Sequence, residues 1–243
     1  MLLIANGCSH TSGAEIEFKL QNICFDKAWP AQLAKIWKCD HINLAMSGAS
    51  QARVIRTTIE CIGNLLSKGY KPKDLFVTIL WPGPYRTEVY EKERVENVWK
   101  GWVPLVIGND YTGQRSDNIL RYYKSWVACH DQHEASTHYY LNTILLQNYL
   151  KTWKINYFFF RSSSTCLSTD SKFNCFKLQL DTKRFPGALD MGQSYCNILE
   201  YLNVDYSKYS SGGHYGEEGH KIWAKLVHDK IGKIYDYEKL GIL

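Results

Sequence analysis

Short apolar runs closed by turns alternate along this chain with longer segments of helical period. The runs are Leu2–Ala5, His41–Ala45, Leu75–Leu80 and Ile155–Phe160. They are mostly apolar at consecutive rather than alternate positions, which predicts strands buried on both faces. Between them, Trp29, Leu33, Ile36 and Trp37 fall on one helical face. From Gln51 to Lys68, Val54, Ile55, Ile59, Ile62, Leu65 and Leu66 recur at the same period, and Gly69 ends that helix. Ser136–Trp153 predicts another helix, and His214–Ile234 a last one with Ile222, Trp223, Leu226 and Val227 inward. Strand and helix in alternation predict a parallel sheet covered on both sides.

Residues from about 90 to 137 break the rhythm. They are rich in Trp, Tyr and charge, and carry turn signals such as Gly108-Asn109-Asp110. The expected organisation is one α/β domain over residues 1–243, with an inserted, loop-rich lid at about 90–137.

Composition narrows the function classes. With 45% hydrophobic and 22% charged residues the chain is an ordinary globular one, and no apolar run reaches membrane-spanning length. No basic leader precedes the first strand, so cytoplasmic placement is expected. The eight cysteines are scattered without a C-x-x-C pair, which argues against zinc ribbons and fits free thiols. The net charge of +5 comes from interspersed Lys, Arg, Asp and Glu. A nucleic-acid or nucleotide partner is therefore disfavoured, since a dedicated binder clusters its basic residues. His130, His133 and His138 lie near Asp131 and Glu134, but their spacing is not that of a zinc helix, and no metal or organic cofactor is expected. Trp99, Trp102, Tyr122, Tyr123 and Trp126 either stack on a ligand or pack the insertion.

In open parallel sheets ligands sit beyond the carboxyl ends of the strands. That edge gathers Gly7-Cys8-Ser9 after the first strand, Ser47–Ser50 after the second and Trp81–Glu88 after the third. Ser211–His220 comes in just before the last helix. A serine, glycine backbone donors and a late histidine at one edge are parts for acyl transfer.

These blocks, in this order, resemble the SGNH (GDSL-type) hydrolases in a divergent form common among small phage and bacterial proteins. Gly7-Cys8-Ser9 stands for the family's Gly-Asp-Ser, Asn43–Gly48 for its second block, and His214–His220 for the histidine half of its last block. The resemblance implies a flavodoxin-like three-layer α/β/α fold. It also implies serine esterase or deacylase chemistry on an O-acyl group of a small or carbohydrate-type substrate. Acyl transfer to a sugar or nucleotide hydroxyl, or ligand binding without turnover, are the alternatives it leaves. It assigns Ser9 as nucleophile, His214 as base, and the Ser9 and Gly48 amides as oxyanion donors, with Arg86 as a replacement donor or anion binder. Cys8, His10, Ser50, Arg53 and Trp81 are expected around the substrate. Cys8 also reads as a small buried thiol, His10 as packing beside the pocket, and His220 as structural.

Three departures shape the expectations. Cys8 stands where the family's first block has an aspartate. Ser211 stands where the family has an aspartate, so a backbone carbonyl, Asp205 or Asp190 must orient His214. The third-block asparagine is missing after the third strand, and Gly108-Asn109-Asp110 reads as a decoy because it lies in the insertion with the wrong spacing.

Overall fold

The computed structural model describes residues 1–17, 24–92, 101–112, 115–163, 171–188, 193–210 and 213–242. Its centre is a parallel sheet of β1 (Leu2–Gly7), β2 (Asp40–Asn43), β3 (Leu75–Trp81) and a later strand, Asn156–Arg161. The spatial order is β2, β1, β3 and then Asn156–Arg161. The alternating side chains explain the unbroken apolar runs. Ile4, Val77 and Phe159 enter one core with Val54 and Ile62 of α3 (Gln51–Ser67), whereas Leu3, Phe76 and Phe158 enter another. That second core holds Trp29, Leu33 and Trp37 of α2 (Trp29–Trp37). This is the three-layer α/β/α arrangement that the SGNH resemblance implies.

A short α1 (Ser9–Ser12) follows β1 directly. After β3 the chain forms an antiparallel pair, β4 (Arg86–Tyr90) and β5 (Trp102–Val106), and then α4 (Asp117–Cys129). Val103, Leu105, Tyr111 and Ile119 make a small core there. The long α5 (Gln132–Thr152) leads back to the sheet as β6 (Asn156–Arg161), and short α6 (Asn174–Lys177) and α7 (Tyr195–Tyr201) follow. The Phe159 N–H of β6 bonds the Arg184 carbonyl at 2.8 Å, so a loop covers that edge. The chain then forms α8 (Glu217–Gly232) and α9 (Tyr237–Leu240).

Several expectations shift in detail. Ile36 is 40% exposed, because the buried stripe of α2 runs through Trp29, Leu33 and Trp37. The last helix starts at Glu217, which leaves His214 in the preceding loop. No helix among the described residues is long and apolar enough to cross a membrane. The seven described cysteines are all free thiols.

Candidate active site

The turn from β1 into α1 depends on Gly7, whose φ is 155°. A Cβ there would lie 2.4 Å from Thr11 Oγ1 and 2.7 Å from the Leu80 carbonyl oxygen. Glycine therefore lets the strand end press against β3 and hand the chain to Ser9. As the first residue of α1, Ser9 has no carbonyl one turn back for its N–H. Asn6, completely buried, donates through Nδ2 to Val54 O, Thr57 Oγ1 and Thr58 Oγ1, and its Oδ1 accepts the Gly7 N–H at 2.8 Å. This locks the end of β1 to α3.

The loop after β2 is tied to the same point. The Leu44 N–H donates to Ala5 O at 2.8 Å and the Met46 N–H to Gly7 O at 3.3 Å. Asn43 Nδ2 donates to Thr11 O at 2.8 Å. Gly48 then turns with φ 75°, and its α-carbon faces Pro104 and Val106 of β5.

Ser9, Gly48, Arg86 and His214 line one cavity of about 430 Å³. Glu15, Ser47, Val106 and Asn109 share its wall. His214 Nδ1 lies 2.9 Å from Glu15 Oε2. A carboxylate only accepts, so Nδ1 carries the proton and Nε2 is left as the basic nitrogen. The two loops are fastened to each other: Ser207 Oγ donates to the Glu15 carbonyl, and the Ser207 N–H to His214 O at 2.9 Å. Glu15 holds φ 59°, a left-handed conformation set just after the left-handed Gly13.

The acid facing His214 is thus Glu15 rather than Asp205, which is exposed; Asp190 and Ser211 lie outside the described residues. Asn109, set aside in the sequence because of its spacing, reaches the cavity because β4 and β5 fold the insertion back over Gly48. Sequence reasoning missed Glu15 altogether. Its one visible trace is an acid shortly after the Gly7-Cys8-Ser9 block.

The remaining expected residues do not line this cavity. Cys8 is completely buried as the residue before α1. Ser50 caps α3 by accepting the Arg53 N–H at 3.2 Å, and Arg53 lines a separate groove beside Ile42 and Leu44. Trp81 continues β3 into the core, edge-on to Phe159 with ring centroids 5.6 Å apart. His10 packs behind His214 with centroids 4.8 Å apart and against Tyr195 at 5.2 Å. Burial, with His214, Arg86 and His220 nearby, holds its pKa well below the usual histidine range, so it stays neutral. His220 is buried and accepts the Trp29 N–H at 3.1 Å; burial and His214 push its pKa down to about 3. Burial also raises the Cys196 thiol to about 12, which makes it inert.

The insertion's aromatic residues have mixed roles. Arg56 stacks over Trp102 at 4.2 Å while pairing with Glu88 at 3.0 and 3.1 Å, so Glu88 holds Arg56 rather than Arg86. Tyr122 and Trp126 line a second, smaller cavity with Arg86, His130 and His138. Trp99 lies outside the described residues. His133 packs on Phe173 at 4.9 Å, apart from His130 and His138. Among the described residues no group of three or more His, Cys, Asp and Glu side chains is arranged to hold a metal ion.

Solved structures give low-identity likenesses over nearly the whole chain. A member of the lipolytic G-D-S-L family from Veillonella parvula is 13% identical, with 97% of this chain and 98% of that one covered and a TM-score of 0.47. An acetyl xylan esterase from Butyrivibrio proteoclasticus is 12% identical, covering 100% of this chain and 65% of that one, with a TM-score of 0.49. A carbohydrate esterase described as having divergent catalytic and non-catalytic binding functions is 14% identical, covering 97% and 66%, with a TM-score of 0.46. This chain spans just under two thirds of those last two proteins. No curated protein matches its sequence. The model of a family of unknown function, DUF6071, matches residues 10–238, and the chain belongs to that family.

Proposed function

We propose that this protein is a serine esterase or deacylase that removes an O-acyl group from a small or carbohydrate-type substrate. The observation that carries this reading is the 2.9 Å contact of His214 Nδ1 with Glu15 on the wall of the cavity that Ser9 and Gly48 line. An imidazole whose Nδ1 is held by a carboxylate, in one cavity with a serine at a helix start, has the parts of a nucleophile and its base.

In this mechanism Ser9 Oγ attacks the ester carbonyl as His214 Nε2 takes its proton. The Glu15 carboxylate steadies the imidazolium that forms. The Ser9 and Gly48 N–H groups and the Asn109 side-chain amide face the developing oxyanion, where one donor is worth about 3–4 kcal/mol. Collapse breaks the ester C–O bond, and His214 protonates the departing alcohol. Water, deprotonated by His214, then attacks the acyl-Ser9 carbonyl, releasing the acid and restoring the hydroxyl. Arg86 reaches a second cavity as well.

Fluorophosphonate labelling with peptide mapping tests this reading. One adduct on Ser9, absent in His214→Ala, is expected. Ser9→Ala should lose at least about 10³-fold in kcat on a 4-nitrophenyl ester without a change in Tm. A folded protein that takes no label is a binding module instead.

A further inference from the structure

Arg86 stands between two cavities. One is the 430 Å³ cavity of Ser9 and His214; the other, of about 180 Å³, lies between the start of α3, β4, α4 and α5. The second is small beside the 300–1,000 Å³ of a usual ligand site, so it suits an appendage of a substrate rather than a second molecule.

Its wall is rich in buried donors without partners. Arg86 Nη1 and Gln51 Nε2 are buried with no hydrogen-bond partner. Glu88, two residues from Arg86 along β4, is taken by Arg56. Both ring nitrogens of His130 are likewise buried and unpartnered, with the side chain only 5% exposed between Tyr85 and Trp126. The acid on this wall is Glu134, at the more open rim: its Oε2 lies 3.4 Å from His130 Nδ1, without hydrogen-bond geometry. His138 and Tyr122, both exposed, complete the titratable lining. Arg86, Gln51 and His130 thus bring a guanidinium, a primary amide and an imidazole to one wall whose acid, Glu134, makes no hydrogen bond to them, and such a wall complements an oxygen-rich anion.

We propose that Arg86 and this second cavity form a subsite for a carboxylate or phosphate carried on the alcohol side of the ester. The substrates are then anionic esters, with the acyl group at Ser9 and the charge at Arg86. This rests on the esterase reading for its position, but the subsite binds whether or not Ser9 turns over.

The first test is calorimetric, on the Ser9→Ala protein, with 3-hydroxybenzoate, 3-hydroxyphenyl phosphate and neutral 3-hydroxybenzyl alcohol. At least one anion should bind ten times more tightly than the alcohol, with an advantage that shrinks in salt and disappears in Arg86→Gln. The better of the two anions identifies the group. Equal binding of all three overturns the proposal. Ala52, exposed on the rim, offers a second variant that leaves the buried wall intact. Ala52→Glu should weaken anion binding at least fivefold and leave the alcohol unaffected; no change in anion binding also counts against the subsite.

In the active protein, 3-acetoxybenzoate should exceed its methyl ester at least tenfold in kcat/KM, chiefly through KM. A lack of Ser9 labelling with anion preference intact would remove the esterase and keep the subsite. Labelling without anion preference would do the reverse.

Discussion

The end of the parallel sheet and the insertion meet at one cavity, yet they are held by different forces. On the sheet side, β1 and β3 are buried along their whole length, and the loops bearing Ser9 and Gly48 are fixed by Asn6, Asn43 and backbone hydrogen bonds. Among the described residues the insertion has a core of four buried side chains, and its contacts with α3 include the Arg56–Glu88 pair with Trp102 beneath it. A segment with few buried apolar contacts opens at lower free energy than the body it lies on. In the proposed reaction the sheet side carries Ser9 and Gly48, and the insertion adds Arg86 and Asn109 to the same cavity wall.

The sharpest way to break this division is to attack the acid of the sheet side. Glu15→Gln keeps the shape but replaces one acceptor with an amide N–H, which favours the wrong histidine tautomer. We expect kcat to fall about 10³-fold with KM and Tm nearly unchanged, since the neutral amide still hydrogen-bonds the imidazole and leaves no unpaired charge. The control Asp205→Asn should leave kcat intact. If Asp205→Asn is the damaging change instead, the orienting acid is not Glu15.

Asn109 asks the same question of the insertion. Losing one oxyanion donor costs about 10²- to 10³-fold, so Asn109→Ala should lower kcat and kcat/KM together by that factor. A rise in KM alone would show that the insertion touches the substrate without touching the transition state. That result would sharpen the division.

What the sequence made legible follows the same line. The strands were readable because both faces are buried, and the meeting of Ser9, Gly48 and His214 at one cavity because local blocks carry them in chain order. Glu15 was not, since its contact with His214 spans 199 positions and depends on a left-handed residue between two loops. Asn109 was visible but was judged by distance along the chain, whereas the β4–β5 fold-back sets its distance in space. Trp81 was placed at the pocket by its position after a strand; β3 runs one residue further, which leaves its ring in the core with Ile79. Ser50 carried a readable capping signal ahead of α3, and its hydroxyl is taken up there.

The smallest effect bears most directly on whether the two regions are separable. Tyr123 Oη lies 3.2 Å from Val106 O and 3.0 Å from Asn109 O, so its hydroxyl proton is shared between β5 and the turn that carries Asn109. Its ring packs edge-on to Tyr111 with centroids 5.1 Å apart. Tyr123→Phe keeps that packing and removes only the shared donor, at a cost of about 1 kcal/mol. If the insertion opens on its own, hydrogen exchange over residues 102–112 should quicken about fivefold, while Leu75–Trp81 stays as protected as before. The same variant should lower kcat only severalfold, because the Asn109 amide is loosened rather than lost. Faster exchange in β3 as well would mean that sheet and insertion unfold as one unit, and the difference between them would lie in chemistry alone.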